Sequence, residues 1–109
     1  ESAARPWTTA EAMTQGQATY EAVCAACHQK DGQGLPGAFP PLKGSKVVAG
    51  PIVEHIRLVV HGSLKNAVMR AFGREMDDRQ LAGLITYERN AWGNGTGDLA
   101  TPEQVEAAR

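Results

Sequence analysis

Small and apolar residues recur at helical spacing near the start of the chain. Successive positions on this face are separated by three, four or seven residues, as one side of an α-helix requires. They are Met13, Gly16, Tyr20, Val23, Cys24 and Cys27. Thr8 suits an N-cap, and Glu11 stands three residues later, where a capping-box partner is expected. The pattern predicts a first helix that begins after Thr8 and carries both cysteines at its end.

Three further helices are indicated. The first begins at Pro51, a residue suited to the first helical position, and ends before Gly62. Its apolar stripe is Ile52, Val53, Ile56, Val59 and Val60. The second is capped by Asp77, with Gln80 at the matching capping-box position. Its inner face is Leu81, Leu84, Ile85 and Trp92, with Gly93 at its end. Thr101 followed by Pro102 predicts a short terminal helix.

Long irregular stretches separate these helices. Residues 29–50 and 63–75 are rich in glycine and proline or lack a helical pattern, and loops of such length are usually functional. Residues 93–97 have the composition of a linker. Because no stretch alternates as a strand does, the sequence predicts an all-α fold: an N-terminal tail at 1–8, and one domain at 9–109 whose terminal helix covers about 101–109.

Composition and charge exclude several classes of function. The chain has 109 residues and a formal net charge of −1, which indicates one domain. Basic and acidic residues are interspersed without a basic stripe, so no nucleic-acid partner is expected. No apolar stretch is long enough for a membrane span. The chain starts at Glu1 without a secretory segment, and we expect it to be a processed or excised part of a longer protein.

One motif carries a specific chemistry. Cys24 and Cys27 are separated by two alanines, and His28 follows directly. This spacing is typical of covalent c-type haem attachment, in which both thiols bond to the edge of the macrocycle. The adjoining histidine then binds the iron as its proximal ligand. The sequence therefore predicts a protein with one covalent haem c.

Two other uses of a C-x-x-C pair are less well supported. A thioredoxin-like redox motif needs a βαβ context, and this chain has no convincing β pattern. A structural zinc site needs four protein ligands, usually as two pairs. Beyond the motif only His55 and His61 remain, and neither is accompanied by a cysteine.

The second axial ligand of the iron has several candidates. They are Met13, Met69, Met76, His55 and His61. Met13 belongs to the face of the first helix, and Met76 is expected to fill the core near a helix start. The two histidines fall at off-stripe positions expected to be solvated. Met69 lies in the second irregular stretch, and the residue pattern alone leaves the choice open.

Other polar and aromatic residues have simpler interpretations. Residues 74–79 are expected to form a solvated segment that contains a helix cap. Tyr87 and Trp92 are expected to fill the core, although a hydrogen bond from the Trp92 indole to a haem propionate is a second interpretation.

The chain resembles a class I cytochrome c. Gly16 and Tyr20 stand eight and four residues before Cys24, where that family has a small residue and an aromatic on its N-terminal helix. Leu84 and Tyr87 resemble the partner positions on its C-terminal helix. The resemblance implies that the two helices cross closely and that a glycine lets their backbones approach.

A narrower resemblance is to the cytochrome c domain at the C-terminus of subunit II of caa-type haem–copper oxidases. It extends from about residue 7 to 109. The segments that carry it are 24–29, 34–42, 71–73 and 85–94. The most specific is the ending Tyr-Glu-Arg-Asn-Ala-Trp-Gly-Asn at 87–94.

The resemblance implies a set of haem-binding residues. His28 and Met69 are the two iron ligands, since Met69 precedes Ala-Phe-Gly at 71–73, where the family has its ligand methionine. Pro40 is expected to offer the backbone carbonyl that accepts a hydrogen bond from His28. Arg70 departs from the family, which often has proline or alanine after this methionine.

The same resemblance implies a non-catalytic, one-electron relay. Electrons would pass from a soluble donor, a cytochrome c or similar protein, to a dinuclear copper centre in a copper-binding domain of the same oxidase subunit. The domain would be exported to the periplasm or the outer face of the cytoplasmic membrane, with a membrane-anchored parent. One alternative is a free soluble periplasmic cytochrome c, and another is a haem enzyme or gas sensor in which Met69 does not ligate.

Overall fold

The structure is a computed structural model that describes residues 7–34, 41–62 and 71–109, without the side chains of Ala26 and Cys27. Within these ranges the chain is helical and contains no β-strand. The α-helices are α1 (Thr9–Thr19), α2 (Ala25–His28), α3 (Lys46–Ala49), α4 (Ile52–His61), α5 (Asp78–Asn90) and α6 (Pro102–Ala108). A π-helical turn covers Tyr20–Cys24, and a 3₁₀ turn covers Ala91–Gly93. The predicted all-α fold is confirmed.

The first helix begins at its predicted cap. The Thr8 side-chain oxygen accepts a hydrogen bond from the Glu11 amide at 3.1 Å. Ala12, Gly16 and Tyr20 are buried at intervals of four residues, so this side of the helix faces the core. The single predicted helix is divided by the π turn and then continues as α2.

Helices α1 and α5 cross at Gly16. A Cβ atom added there would lie 2.0 Å from the Gly83 carbonyl oxygen and 2.6 Å from the Tyr87 Cβ. No side chain fits into such a space, so the two backbones are in direct contact. Gly83 is less crowded, since its added Cβ would lie 3.2 Å from the Ala12 carbonyl oxygen. The close crossing implied by the resemblance is confirmed.

Helix α5 is central to the hydrophobic core. The Asp77 side chain accepts a hydrogen bond from the Gln80 amide, and the Gln80 side chain accepts one from the Asp77 amide. This capping box starts the helix where predicted. The apolar residues of α5 then form one cluster with side chains from α4, α6 and the loops. The cluster includes Ile56, Val59, Val60, Phe72, Met76, Leu81, Leu84, Ile85 and Val105.

Helix α4 carries the predicted stripe except at one position. Ile56 and Val60 are buried, whereas Val53 is 50% exposed. The prediction that Val53 lies on the inner face was wrong. The buried face of α4 is rotated towards His55, which lies against α5.

Helix α3 is a short element inside the stretch predicted to be irregular. The Ser45 side chain caps it by accepting hydrogen bonds from the amides of Val47 and Val48, and Val48 is 2% exposed. Four residues are too few to show helical periodicity, and for this reason the pattern did not predict it.

The predicted linker at residues 93–97 is held firmly against the domain. The Asn90 side chain donates a hydrogen bond to the Asp98 carbonyl at 3.0 Å. The Asn94 side chain accepts one from the Gly44 amide at 2.7 Å. The interpretation as a linker was wrong, because asparagine side chains supply the donors and acceptors that this irregular backbone needs.

Arg79 is buried, although residues 74–79 were expected to be solvated. Its guanidinium lies 4.5 Å from the centroid of the Trp7 ring and donates to the Glu11 carboxylate at 2.6 Å. The Trp7 indole N–H donates to the Ala100 carbonyl at 2.7 Å. Stacking and ion pairing together allow a buried arginine here.

The terminal helix is present as predicted. Thr101 and Gln104 form a capping box at its start, and Val105 is fully buried. The other end of α6 lies against α4, where His61 Nε2 is 2.7 Å from the Ala108 carbonyl oxygen.

Replacing Gly16 with alanine is expected to lower the free energy of unfolding by about 3 kcal/mol, because the added methyl group forces α1 and α5 apart. Gly83→Ala is the matched comparison. Its added carbon would lie 3.2 Å from the nearest atom, a much milder contact than at Gly16, and alanine favours a helix over glycine by about 1 kcal/mol. We therefore expect a smaller loss of stability at Gly83. Urea unfolding of both haem-loaded variants measures the difference. Equal losses at the two glycines would contradict a crossing centred on Gly16.

Candidate functional site

Cys24 and His28 lie on one short helical segment. Cys24 ends the π turn, and α2 brings the chain to His28 at its last position. Both side chains are half-buried, and Cys24 lies against the hydrophobic core. Cys27 is on α2 directly before His28, and its side chain is outside the described residues.

The π turn determines where Cys24 lies relative to the core. The Ala25 amide donates to the Tyr20 carbonyl, five residues back. This wider turn shifts all later residues around the helix axis relative to an uninterrupted α-helix. Tyr20 is thereby buried in the core while Cys24 stays at its edge. Such turns occur frequently at functional sites.

The chain changes direction directly after His28. Gln29 has φ 68° and ψ 160°, a conformation that belongs almost entirely to glycine and costs another residue roughly 1–3 kcal/mol. The Gln29 amide still closes α2 by donating to the Ala25 carbonyl at 2.8 Å. The Gly34 amide donates to the His28 carbonyl at 2.9 Å, so the chain folds back over the end of α2.

Two aromatic side chains bind the backbone at this turn. The Tyr20 hydroxyl donates to the Gln29 carbonyl at 2.6 Å. The Trp92 indole N–H donates to the Lys30 carbonyl at 2.8 Å. The Trp92 ring also covers Gly32, where an added Cβ would lie 2.6 Å from a ring carbon. The segment after His28 is therefore held by the first helix and by the end of α5.

These aromatic residues form a cluster with Tyr87. The Tyr20 ring centroid lies 5.0 Å from that of Trp92 and 5.7 Å from that of Tyr87, and Tyr87 meets Trp92 edge-on at 5.5 Å. Such tilted pairs are favourable. Burial raises the pKa of Tyr20, with a further contribution from the negative charge of Glu88, so its hydroxyl remains a donor. Burial also raises the pKa of Tyr87. The prediction that Tyr87 fills the core is confirmed.

His55 is buried rather than solvated. Its exposed fraction is 2%, and its Nε2 lies 2.9 Å from the Glu88 carboxylate. Arg89 approaches the other ring nitrogen at 3.4 Å and donates to the Asp98 carboxylate at 2.6 Å. These contacts satisfy both ring nitrogens in the interior. The expectation of a solvated His55 was therefore wrong.

The sequence did contain a signal for this burial. His55 stands three residues after Ile52 and four before Val59, a spacing that places all three on one side of α4. Its polar side chain led to the opposite interpretation, because the partners that permit burial are distant in sequence.

The structure describes only some of the candidates for the second axial ligand. Met69 lies outside the described residues, and so does Pro40, the predicted hydrogen-bond acceptor for His28. The roles of both stay predictions. Met76 is in the core with 9% exposure, as expected. Met13 packs partly buried against the same core. His61 is exposed, as expected for the solvated side of α4.

Comparison with known proteins identifies the family. Residues 11–87 match the family described as cytochrome c oxidase, cbb3-type, subunit III. The chain belongs to this cytochrome c family. It is a class I c-type cytochrome domain, an electron-transfer module that binds one covalent c-type haem and is not itself catalytic.

Individual relatives come from several redox proteins. The chain is 37% identical over 96 residues to cytochrome c-552 of Thermus thermophilus, covering 76% of this chain and 64% of that protein. It is 28% identical over 110 residues to the cytochrome c subunit of a quinone alcohol dehydrogenase of Gluconacetobacter polyoxogenes, covering 90% of this chain and 23% of that subunit. It is 29% identical over 92 residues to the cbb3-type oxidase subunit CcoP of Azospirillum brasilense, covering 79% of this chain and 30% of that subunit.

The described residues fit a c-type haem. Cys24 lies at the edge of an apolar core, and its neighbours Val23 and Ala25 are apolar and partly buried against that core. The broad faces of a porphyrin are apolar, so binding beside these residues removes apolar surface from water. The thiols and imidazole of the motif are the donor set that covalent attachment requires.

The ion pair of Asp98 and Arg89 is expected to make stability depend on pH. Hydrogen bonds from Arg89 hold the pKa of Asp98 below its ordinary value of 3.8. A folded-state pKa that is lowered stabilises the protein above the unfolded value, and this stabilisation is lost as the pH falls through the folded value. Asp98→Asn should therefore be less stable than wild type at pH 6, with the difference shrinking below pH 4.

Urea unfolding at several pH values measures this effect. Glu106→Gln is a suitable control, because it removes one exposed carboxylate of α6 that takes no part in the ion pair of Asp98 and Arg89. A difference between wild type and Asp98→Asn that stays constant down to pH 2 would contradict the assignment.

Proposed function

We propose that this domain relays single electrons in a respiratory oxidase, from a soluble donor protein to a dinuclear copper centre in a copper-binding domain of the same subunit. Cys24 and Cys27 bind the haem covalently, and His28 and Met69 are its axial ligands. The Pro40 carbonyl accepts the hydrogen bond that orients His28. The haem supplies reversible one-electron exchange at its iron. The domain covers residues 9–109, with 1–8 as a tail.

The relatives that embed this domain in larger subunits carry the proposal. The chain corresponds to 30% of the oxidase subunit CcoP and to 23% of the alcohol dehydrogenase subunit. A cytochrome domain inside a longer redox polypeptide has a neighbouring centre to which it can pass electrons. The oxidase is favoured over the dehydrogenases by the resemblance of segment 87–94 to the domain fused to subunit II.

The contacts of segment 87–94 support this resemblance. Five side chains of the segment have a defined polar partner. Glu88 contacts His55, Arg89 binds Asp98, Asn90 binds the Asp98 backbone, Trp92 binds the Lys30 carbonyl, and Asn94 binds the loop at Gly44. These contacts give the polar residues of the segment a structural role in this fold, which is consistent with the resemblance.

Two protein ligands on the iron would restrict the chemistry to electron exchange. His28 and Met69 together leave no open position for oxygen or another substrate. The thioether of Met69 would also favour the reduced state and raise the reduction potential. The chain's role is then to hold both ligands in place during oxidation and reduction.

A dehydrogenase is the second candidate for the parent complex. The chain aligns over 90% of its length with the cytochrome c subunit of a quinone alcohol dehydrogenase, and it is 32% identical to the cytochrome c subunit of a gluconate 2-dehydrogenase of Pantoea cypripedii. In that setting the domain would accept electrons from a substrate-oxidising subunit instead of delivering them to copper.

We place the domain in the periplasm or on the outer face of the cytoplasmic membrane, in a membrane-anchored parent. No helix in the part of the chain that the structure describes is both long and apolar enough to cross a membrane.

Met69→Ala should open the second axial position. The reduced variant is expected to bind carbon monoxide at neutral pH and to have a lower reduction potential, because the thioether ligand is lost. Met76→Ala is the matched control, since it removes a core methionine. It should cost about 2 kcal/mol of stability and leave the potential and the visible spectrum unchanged. An unchanged spectrum and potential in Met69→Ala would contradict the ligand assignment.

The parent complex can be identified by its size, location and electron acceptor. Membranes and soluble extract of the source organism are separated on a denaturing gel, stained for haem and probed for this sequence. We expect a large haem-bearing polypeptide in the membranes. A small soluble band would instead support a free cytochrome.

Stopped-flow mixing of the reduced domain with the copper-binding domain of the same polypeptide then tests the direction of transfer. Rapid oxidation of the domain supports the oxidase. A large polypeptide that lacks a copper-binding domain would support the dehydrogenase.

A further inference from the structure

The Trp92 indole is bound to the segment that follows His28. Its N–H donates to the Lys30 carbonyl at 2.8 Å over a separation of 62 residues. Its ring lies so close to Gly32 that a side chain there would overlap it. The N–H donor and the ring of Trp92 therefore both lie against residues 30–32. The second interpretation from sequence, a bond to a haem propionate, is not the one this geometry favours.

The backbone at Trp92 is itself arranged for this contact. Trp92 has φ 57° and ψ 25°, in the left-handed region that bulky residues rarely adopt. Helix α5 ends at Asn90, and Trp92 lies in the turn beyond it. This left-handed residue in the turn after α5 directs the indole back towards the segment that follows α2. The chain after His28 thus has an unusual backbone residue, Gln29, and is bound at the next residue by the side chain of a second one, Trp92.

We propose that Trp92 is a positioning residue for His28. By fixing the Lys30 carbonyl, the indole determines the direction in which the chain leaves His28, and so the orientation of the imidazole. Tyr20 acts in the same sense one residue earlier, through the Gln29 carbonyl. This inference rests on the proposed ligation of iron by His28.

A positioning role of Trp92 can be distinguished from ordinary core packing by the properties that change when the residue is replaced. A residue that only fills space changes stability when it is replaced, without changing the electronic structure of the iron. A residue that orients an axial ligand also changes the reduction potential and the pattern of paramagnetically shifted haem resonances, because both depend on ligand orientation and hydrogen bonding.

The chain offers a matched pair of tryptophans for the test. Trp92→Phe keeps an aromatic ring and removes the N–H donor to Lys30. Trp7→Phe removes an equivalent donor, the indole N–H that bonds to the Ala100 carbonyl at 2.7 Å, beside Arg79 at the start of α5, whereas Trp92 lies beyond the other end of that helix. Tyr20→Phe removes the hydroxyl that binds Gln29 and serves as a second variant if Trp92→Phe does not fold.

Proton NMR of the oxidised haem-loaded proteins and their reduction potentials are the measurements. We expect Trp92→Phe and Tyr20→Phe to shift the haem methyl resonances and the potential, and Trp7→Phe to leave both at their wild-type values while lowering stability. Equal shifts in Trp92→Phe and Trp7→Phe, or no shift in Trp92→Phe, would overturn the proposal.

A further variant distinguishes failure of the positioning role of Trp92 from failure of the assignment of His28 as an iron ligand. His28→Gly removes the imidazole, and added free imidazole should restore the wild-type visible spectrum if His28 is the ligand. Restoration together with an unaffected Trp92→Phe refutes only the positioning role. A wild-type spectrum in His28→Gly before imidazole is added refutes the ligand assignment, and the inference with it.

Discussion

The backbone contact between α1 and α5 is the constraint on which the rest of the structure depends. At Gly16 the two helices are so close that no side chain fits between them. This distance brings Tyr20, at the start of the π turn after α1, against Tyr87 of α5 and Trp92 of the following 3₁₀ turn. The aromatic cluster in turn supplies the two donors that hold the chain after His28. A missing side chain at one glycine thus determines the geometry of the attachment segment eight residues away.

The end of α5 joins separate parts of the domain. Glu88 of α5 contacts α4 through His55. Just beyond the helix, Trp92 contacts the attachment segment through Lys30, and Asn94 contacts the loop at Gly44. The His55–Glu88 contact is buried, and no buried side-chain polar atom in the described residues lacks a partner. A fully satisfied polar network of this kind specifies one arrangement, because any shift leaves a donor or acceptor unpaired. The polar side chains of residues 88–94 are therefore used for contacts within the domain.

Local signals in the sequence predicted the main helices, and non-local ones were missed. Capping boxes such as Asp77 with Gln80 involve residues three positions apart, so the sequence shows them directly. The burial of His55 depends on Glu88, 33 residues away, and that of Arg79 on Glu11, 68 residues away. Periodicity contains no information about such partners. The C-x-x-C-H motif was recognisable because its chemistry requires a fixed spacing, whereas the interpretation of Met69 depends on resemblance alone.

The long sequence separations between hydrogen-bonded residues also affect the order in which the parts of the domain fold. The bond between Trp92 and Lys30 spans 62 residues, and that between Asn94 and Gly44 spans 50. Contacts between distant parts of a chain form late, because the intervening loop must first be closed. The segment that carries Cys24 and Cys27 can therefore become helical early and still remain open to the solvent. The Cys24 thiol is accessible during this period, and the arrival of the last third of the chain then completes the core against which Cys24 is half-buried.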